Sequence, residues 1–323
     1  MSETSPAQPT GQSPPRRVLL LAHTGRDEAR EVAGAFCKAL VGHGMVVRLP
    51  EAEAADLGIH GSEQDGVEIA LSEGDTTLDC ELVLVIGGDG TILRAAELTH
   101  GSGTPVLGVN LGHVGFLAEA EYDDVESTID AIVQRRYVAE DRLTLDVRVY
   151  TDGEEVFRTF AVNEASVEKA ARERMLEVII EVDDRPLSRF GCDGVVCATP
   201  TGSTAYNFSA GGPIVWPGVE ALLMVPISAH ALFARPLVVA PTSELAVEVI
   251  SRTDGAGVLW CDGRRAFDLP PGARIEVTRG ERPVRLVRLH EAPFTDRLVA
   301  KFDLPVHGWR GAAERLRRER GDA

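Results

Sequence analysis

From Arg17 onward the apolar positions switch between two periods. Val18–Ala22, Val46–Leu49, Leu82–Ile86 and Pro105–Val109 are short, largely apolar runs of the kind that form strands buried on both faces. After the first of them, Ala29, Val32, Ala33, Phe36 and Leu40 recur at helical spacing, and the period stops at Gly42 and Gly44. Thr91–Leu98 reads as a short helix. Asp123–Gln134 reads as another, with Val125, Ile129, Ile132 and Val133 on one face. Strands alternating with helices imply a parallel sheet covered on both sides, a Rossmann-like α/β domain over residues 17–140. The polar, acidic stretch from Glu51 to about Asp79 reads as irregular.

The period changes near Leu143. Leu143, Leu145, Val147 and Val149 alternate with Thr144, Asp146, Arg148 and Tyr150, the pattern of a half-buried strand. Similar runs follow at Val156–Val162, Leu176–Val182, Val195–Ala198, Leu237–Val239, Leu245–Ile250, Arg274–Val277 and Val284–Leu289. Turn pairs at Asp152-Gly153, Asp254-Gly255 and Asp262-Gly263 separate them. These runs predict a β-rich domain of sandwich type over residues 141–293. From about Phe294 the β pattern fades, so residues 294–323 are expected to return to the first domain. The polar, Pro-rich residues 1–16 read as a flexible tail rather than a signal peptide.

Composition narrows the function classes. With 323 residues, 44% hydrophobic and 26% charged, the chain can bury two ordinary cores. It has no apolar run long enough to span a membrane, so a cytoplasmic protein with no membrane partner is expected. Five scattered cysteines without a CxxC pair argue against a disulfide framework or a zinc site, and no metal held by protein ligands alone is expected. The net charge of −17 repels phosphate-rich polymers and argues against a nucleic-acid partner. Lysine occurs only at Lys38, Lys169 and Lys301, so a phosphate site must rely on arginine, backbone N–H groups, helix termini or a metal ion. The late arginines Arg310, Arg315, Arg317, Arg318 and Arg320 suit a solvated or docking helix face.

Three motifs carry chemistry. Gly87-Gly88-Asp89-Gly90-Thr91 follows the buried run Leu82–Ile86, at the end of a strand where open α/β sheets bind ligands. Its glycines let backbone approach an anion, and Asp89 can orient a hydroxyl, take its proton or face a phosphate-bound Mg²⁺. The plain alternative is a tight turn with Asp89 or Thr91 capping the next helix. Positioning and charge stabilisation are expected to supply most of the rate. The second motif is Asp193-Gly194, then Thr199-Pro200-Thr201-Gly202-Ser203-Thr204-Ala205-Tyr206, then Ala210-Gly211-Gly212-Pro213. Its crowded hydroxyls can wrap a ribose and phosphates, and Tyr206 can cover an aromatic ring; a hydroxyl-capped turn is the alternative. Asn163-Glu164, after Val156–Val162, can pair an adenine edge and hold a ribose hydroxyl. Walker, dehydrogenase and nucleophile-elbow motifs are absent.

These motifs, in this order, together with Asn110-Leu111-Gly112-His113-Val114-Gly115-Phe116-Leu117 and Cys261-Asp262-Gly263, resemble those of the NAD kinases over roughly Arg17–Asp303. The resemblance implies transfer of the terminal phosphoryl group of ATP, or of polyphosphate, to the adenosine-ribose 2′-hydroxyl of NAD. Mg²⁺ would be carried on the donor phosphates. It makes Asp89 the proton acceptor with Gly90 beside it, sets Arg94 on phosphate, and gives the adenosine to Asn163 and Glu164. Asp193, Thr204, Ala205, Tyr206, Asn207, Phe208 and Ser209 would line the rest of the dinucleotide, with Arg174 and Arg264 as further contacts. A homodimer or homotetramer is implied. Glycine-aspartate motifs of the first kind also occur in lipid and sugar kinases, which would ignore NAD. A non-catalytic dinucleotide-binding regulator would be indifferent to Asp89.

Overall fold

The computed structural model describes residues 14–60, 65–70, 76–112, 115–121, 124–171, 175–250, 256–290 and 293–306. Arg174, the His113-Val114 pair, the Asp254-Gly255 turn and the late arginines from Arg310 lie outside the described residues, as does most of the expected tail. The first part of the chain runs β1 (Arg17–Ala22), α1 (Asp27–Gly42), β2 (Val46–Pro50), α2 (Glu51–Asp56), β3 (Val67–Ala70), β4 (Cys80–Ile86), α3 (Asp89–Thr99), β5 (Val106–Asn110), β6 (Ala120–Glu121), α4 (Val125–Val133) and β7 (Val138–Arg142). Then follow β8 (Leu145–Thr151), β9 (Glu154–Ala161), β10 (Glu164–Lys169), β11 (Leu176–Val182), β12 (Arg185–Cys192), β13 (Gly194–Ala198), α5 (Tyr206–Ser209) and β14 (Leu222–Ile227). The last elements are β15 (Leu237–Val239), β16 (Leu245–Val249), β17 (Gly257–Cys261), β18 (Arg265–Leu269), β19 (Arg274–Arg279), β20 (Val284–Arg288) and α6 (Phe294–Phe302).

The unbroken apolar runs become central parallel strands because both of their faces are covered. Leu20 pairs with Leu84 and Leu84 with Leu107, in a sheet ordered β3-β2-β1-β4-β5-β20-β7 with β6 on the end of β5. The helical face predicted in α1 packs through Phe36 and Leu40 on one side of this sheet, and α3 covers the other through Ile92 and Ala96. Gly108 lets α3 press on β5, since a Cβ there would sit 2.4 Å from Ile92 Cδ1. Between Glu51 and Asp79 the structure corrects the sequence reading. A short helix, α2, and an edge strand, β3, form there, too brief and too polar to leave a periodic signal.

A second correction concerns the end of the β-rich region. Val284–Arg288 was expected in the second domain, yet β20 pairs parallel with β5 and antiparallel with β7, so the chain rejoins the first sheet before Phe294. The remaining strands form two antiparallel sheets, β15-β14-β13-β10-β17-β18 and β12-β11-β16-β19-β8-β9, facing each other over one apolar core. The alternation at Leu145, Val147 and Val149 points into that core. The outer face of β13 and β14 is also covered, by Ala210 and Val215, which is why Gly194–Ala198 is apolar without alternation. The Asp152-Gly153 and Asp262-Gly263 pairs have positive φ at both residues, the hairpin-turn geometry their sequence favours.

Candidate active site

Strand order reverses between β1 and β4, which opens a crevice beyond their carboxyl ends. A cavity of about 650 Å³ lies there, walled by His23–Arg26 after β1 and by Gly87–Thr91 after β4. Gly87 is required by close packing: a Cβ would stand 2.8 Å from Thr91 Oγ1. Gly88 is the N-cap of α3, with no side-chain cap. Neither Asp89 nor Thr91 therefore plays the capping role offered as the plain alternative. Instead Asp89 reaches across to the loop after β5. Its two carboxylate oxygens accept the N–H groups of Phe116 and Leu117, each at 3.2 Å. Gly115 makes room for this, since a Cβ there would lie 2.5 Å from Asp89 Oδ1. Two sequence motifs separated by some twenty residues are thus locked through one carboxylate.

Cations line the same cavity as that carboxylate. Arg94, on α3, lines the cavity and forms an ion pair with the buried Glu53 of α2. Arg264 lines it from the turn after β17, with Nε 3.1 Å from Glu97 Oε1. Thr24, in the loop after β1, donates its hydroxyl to Asp56 of α2 at 2.5 Å, so α2 braces both sides of the cavity. Asp89 is the one carboxylate among the lining residues. Nothing in the sequence pattern marks Glu53, Asp56 or Glu97, because they lie in stretches whose polarity looks like solvent exposure.

The second motif is partly scaffold. Thr199 Oγ1 donates to the Val162 carbonyl at 2.6 Å and accepts the Gly202 N–H at 3.0 Å, fully buried. Ser203 Oγ exchanges hydrogen bonds with the Val215 backbone at 3.1 and 2.9 Å. These two hydroxyls are occupied within the fold and are not free to wrap a ligand. Gly202 passes directly against Asn163, whose carbonyl oxygen would be 2.0 Å from a Cβ. Asn207 is also buried, donating to the Ser203 and Pro213 carbonyls, and Gly212 leaves space for its amide. Tyr206, Phe208 and Ser209 are exposed on the same segment, and Thr204 and Ala205 are half-buried.

Asn163 and Glu164 sit at the start of β10, held from below by Asp262. The Asp262 carboxylate accepts the N–H of Val162 at 3.0 Å and of Asn163 at 2.7 Å, and it pairs with Arg265 at 2.6 Å. Glu164 is buried, with Oε2 lacking a hydrogen-bond partner. Burial, then the neighbouring Asp262 charge, push its pKa up to about 8, against the opposing pull of the Tyr206 N–H. Burial also raises Asp262 above the usual carboxylate range, although the backbone N–H groups oppose this.

A second cavity, of about 850 Å³, is lined by Phe116 and Leu117, the residues that follow Gly115 of the first, and reaches Thr201 and Thr204. Helix α6 closes it, with Phe294 and Phe302 each 5.9 Å from Phe116 between ring centroids. Phe302 also packs on Phe208 at 4.8 Å. Asp193 lines neither cavity; its carboxylate pairs with Lys169 Nζ at 2.6 Å, which holds it below the usual range. The structure therefore gathers Asp89, Gly90, Arg94 and Arg264 in one cavity, and joins Asn163, Glu164 and residues 204–209 in a neighbouring cluster.

A cation-lined crevice with one fixed carboxylate, beside a sandwich edge carrying an amide, a buried carboxyl and exposed rings, suits a protein that handles a phosphorylated nucleotide. The ATP-NAD kinase N-terminal domain matches residues 18–137 and the ATP-NAD kinase C-terminal domain matches residues 162–289. NAD kinase 2 of Streptomyces avermitilis is 60% identical over 302 residues, 93% of this chain and 99% of that protein. The crystal structure of yeast NADH kinase complexed with NADH superposes with a TM-score of 0.82 at 25% identity, over 92% of this chain and 90% of that one. An NAD kinase from Archaeoglobus fulgidus, solved with ATP, shares the fold, with a TM-score of 0.64 at 23% identity over 89% and 98%. The chain belongs to the NAD kinase family, and its activity is that of an NAD kinase.

Proposed function

We propose that the chain transfers the terminal phosphoryl group of ATP to the adenosine-ribose 2′-hydroxyl of NAD, giving NADP, with the chemistry centred on Asp89. The observation that carries this is the Asp89 carboxylate itself, alone among the lining residues and fixed by two backbone N–H groups. Fixed in that way, it can receive the hydrogen bond of the attacking hydroxyl and take its proton as the new O–P bond forms and the bond to the departing ADP breaks. Gly90 lies beside it, and the free N–H groups at the start of α3 face incoming phosphate. Arg94 and Arg264 neutralise phosphate charge by exchanging their carboxylate partners for the ligand. Asn163 and Glu164 hold the adenosine, with Thr204–Ser209 along the remainder of the dinucleotide. Asn207 acts there through its buried amide, by shaping the segment. Asp193 lines the rest of the dinucleotide with that segment, and Arg174 is a further contact.

Among the described residues no three His, Cys, Asp or Glu side chains group as a metal site. With one carboxylate in the cavity, the residues fit a Mg²⁺ brought on the donor phosphates, which Asp89 could contact. When bound, that ion would offset charge on the donor. A homodimer or homotetramer is supported by the exposed Leu232, Phe233 and Val238 near the edge strand β15. A cytoplasmic setting is supported by five free, buried cysteines. No helix among the described residues is long and apolar enough to cross a membrane. The direct test incubates the protein with NAD and Mg²⁺ plus either ATP or polyphosphate and measures NADP with an NADP-specific dehydrogenase. NADP with ATP is expected; its absence with both donors would refute the proposal, and formation with polyphosphate alone would refute the donor assignment.

A further inference from the structure

We propose that Lys301, in the last turn of α6, binds the phosphates of the donor and makes the C-terminal helix part of the phosphoryl-transfer site. The inference rests on the kinase reading above.

Four fixed cations line the Asp89 cavity: Arg26, Arg94, Arg264 and Lys301. Two of them bring their own counter-charge, since Arg94 pairs with Glu53 and Arg264 with Glu97. No described carboxylate lies within ion-pair distance of Arg26 or Lys301, and the cavity's own carboxylate is held by backbone donors. The uncompensated positive charge of the cavity therefore sits on these two residues, at opposite ends of the chain. Of the other lysines, Lys169 pairs with Asp193 and Lys38 lies on α1 away from the crevice. A basic residue in a helix's last turn complements the helix dipole. That accounts for its charge but not for its place at the wall of this cavity.

The placement is held from both sides. One turn earlier, Arg297 donates to the Ala118 carbonyl at 2.7 Å and also pairs with Glu119. The next residue, Phe302, wedges between Phe116 and Phe208. Phe116 and Leu117 are the residues whose N–H groups fix Asp89. A single short loop thus carries the carboxylate on one side and seats α6 on the other, so Lys301 keeps a set position relative to Asp89. A flexible ammonium on that seat supplies donors to a polyphosphate without a rigid fork.

The test compares wild type, Lys301→Ala, Lys301→Arg and the distal Lys38→Ala. Initial rates are measured against ATP at saturating NAD and against NAD at saturating ATP, with thermal unfolding of each protein. The alanine variant should raise KM for ATP about tenfold, the loss of one charge-assisted hydrogen bond. Its KM for NAD should stay within about twofold, and its melting temperature should match wild type because Lys301 is exposed. Lys301→Arg should recover most of the ATP affinity, and Lys38→Ala should behave as wild type. An unchanged KM for ATP, or a rise confined to NAD, would overturn the inference while leaving the kinase reading intact. A wild-type protein that forms no NADP would instead overturn the kinase reading on which it depends.

Discussion

The two glycine-rich segments of this chain look alike in sequence and do different work. In the first, Gly87–Thr91, glycines open a crevice and leave one carboxylate, Asp89, facing it. In the second, Thr199–Tyr206, the hydroxyls of Thr199 and Ser203 face inward and are consumed by Val162, Gly202 and Val215. Gly202 there serves close packing against Asn163 rather than ligand approach. The difference follows from what lies underneath. The first segment leaves a parallel sheet at its switch point, where backbone runs out and space remains. The second lies next to the covered outer face of β13 and β14, where its buried hydroxyls must find internal partners.

That contrast can be broken most forcefully at Gly202. A methyl group there would meet the Asn163 carbonyl at 2.0 Å, backbone against backbone, so Gly202→Ala should cost about 3 kcal/mol or more in chemical denaturation. Little loss of stability would mean the two segments are not packed as described. Gly115→Ala should act in the opposite manner. Its Cβ would displace the Asp89 carboxylate, lowering kcat by about 10²-fold with a smaller effect on stability. Near-normal turnover in a folded Gly115→Ala protein would argue that the Asp89 position is not critical.

Thr199→Val sharpens the scaffold side. It leaves the Gly202 N–H and the Val162 carbonyl short of a partner, and should destabilise by about 1–3 kcal/mol while KM for NAD stays within about twofold. A selective rise in KM for NAD would place that hydroxyl on the ligand after all. A dependence on pH is expected at Glu164. The fold raises its pKa from 4.5 to about 8, so between those values the folded chain keeps a proton the unfolded chain has lost. Stability contributed by this group therefore falls as pH rises through that window, by at most about 1.4 kcal/mol per pH unit. Glu164→Gln should flatten the decline, leaving the part due to Asp262. An identical pH profile for both proteins would show that Glu164 is ionised in the fold.

Much of the α/β domain was legible because its strands are buried on both faces and its main helices are amphipathic. Leu82–Ile86 and the face of α1 appear where their periods put them. What escaped notice is polar or short. Helix α2 has a single turn and a half of acidic and alanine residues, so its buried Glu53 resembles surface charge until Arg94 arrives from elsewhere in the chain. β20 is a short run like those before it, and only its pairing with β5 and β7 assigns it to the first sheet. The site motifs were legible as chemistry. Which of their hydroxyls point inward was not, because that depends on partners such as Val162 and Val215 that no local spacing encodes.

The central claim is that Asp89 carries the chemistry, and Asp89→Asn tests it most directly. Asparagine keeps the size of the side chain and can still accept one of the two backbone hydrogen bonds, but it cannot take up the hydroxyl proton. We expect NADP formation from NAD and ATP to fall by about 10²–10⁴-fold, with binding of NAD and the melting temperature little changed. A variant that binds NAD normally and turns over within a few-fold of wild type would contradict the account.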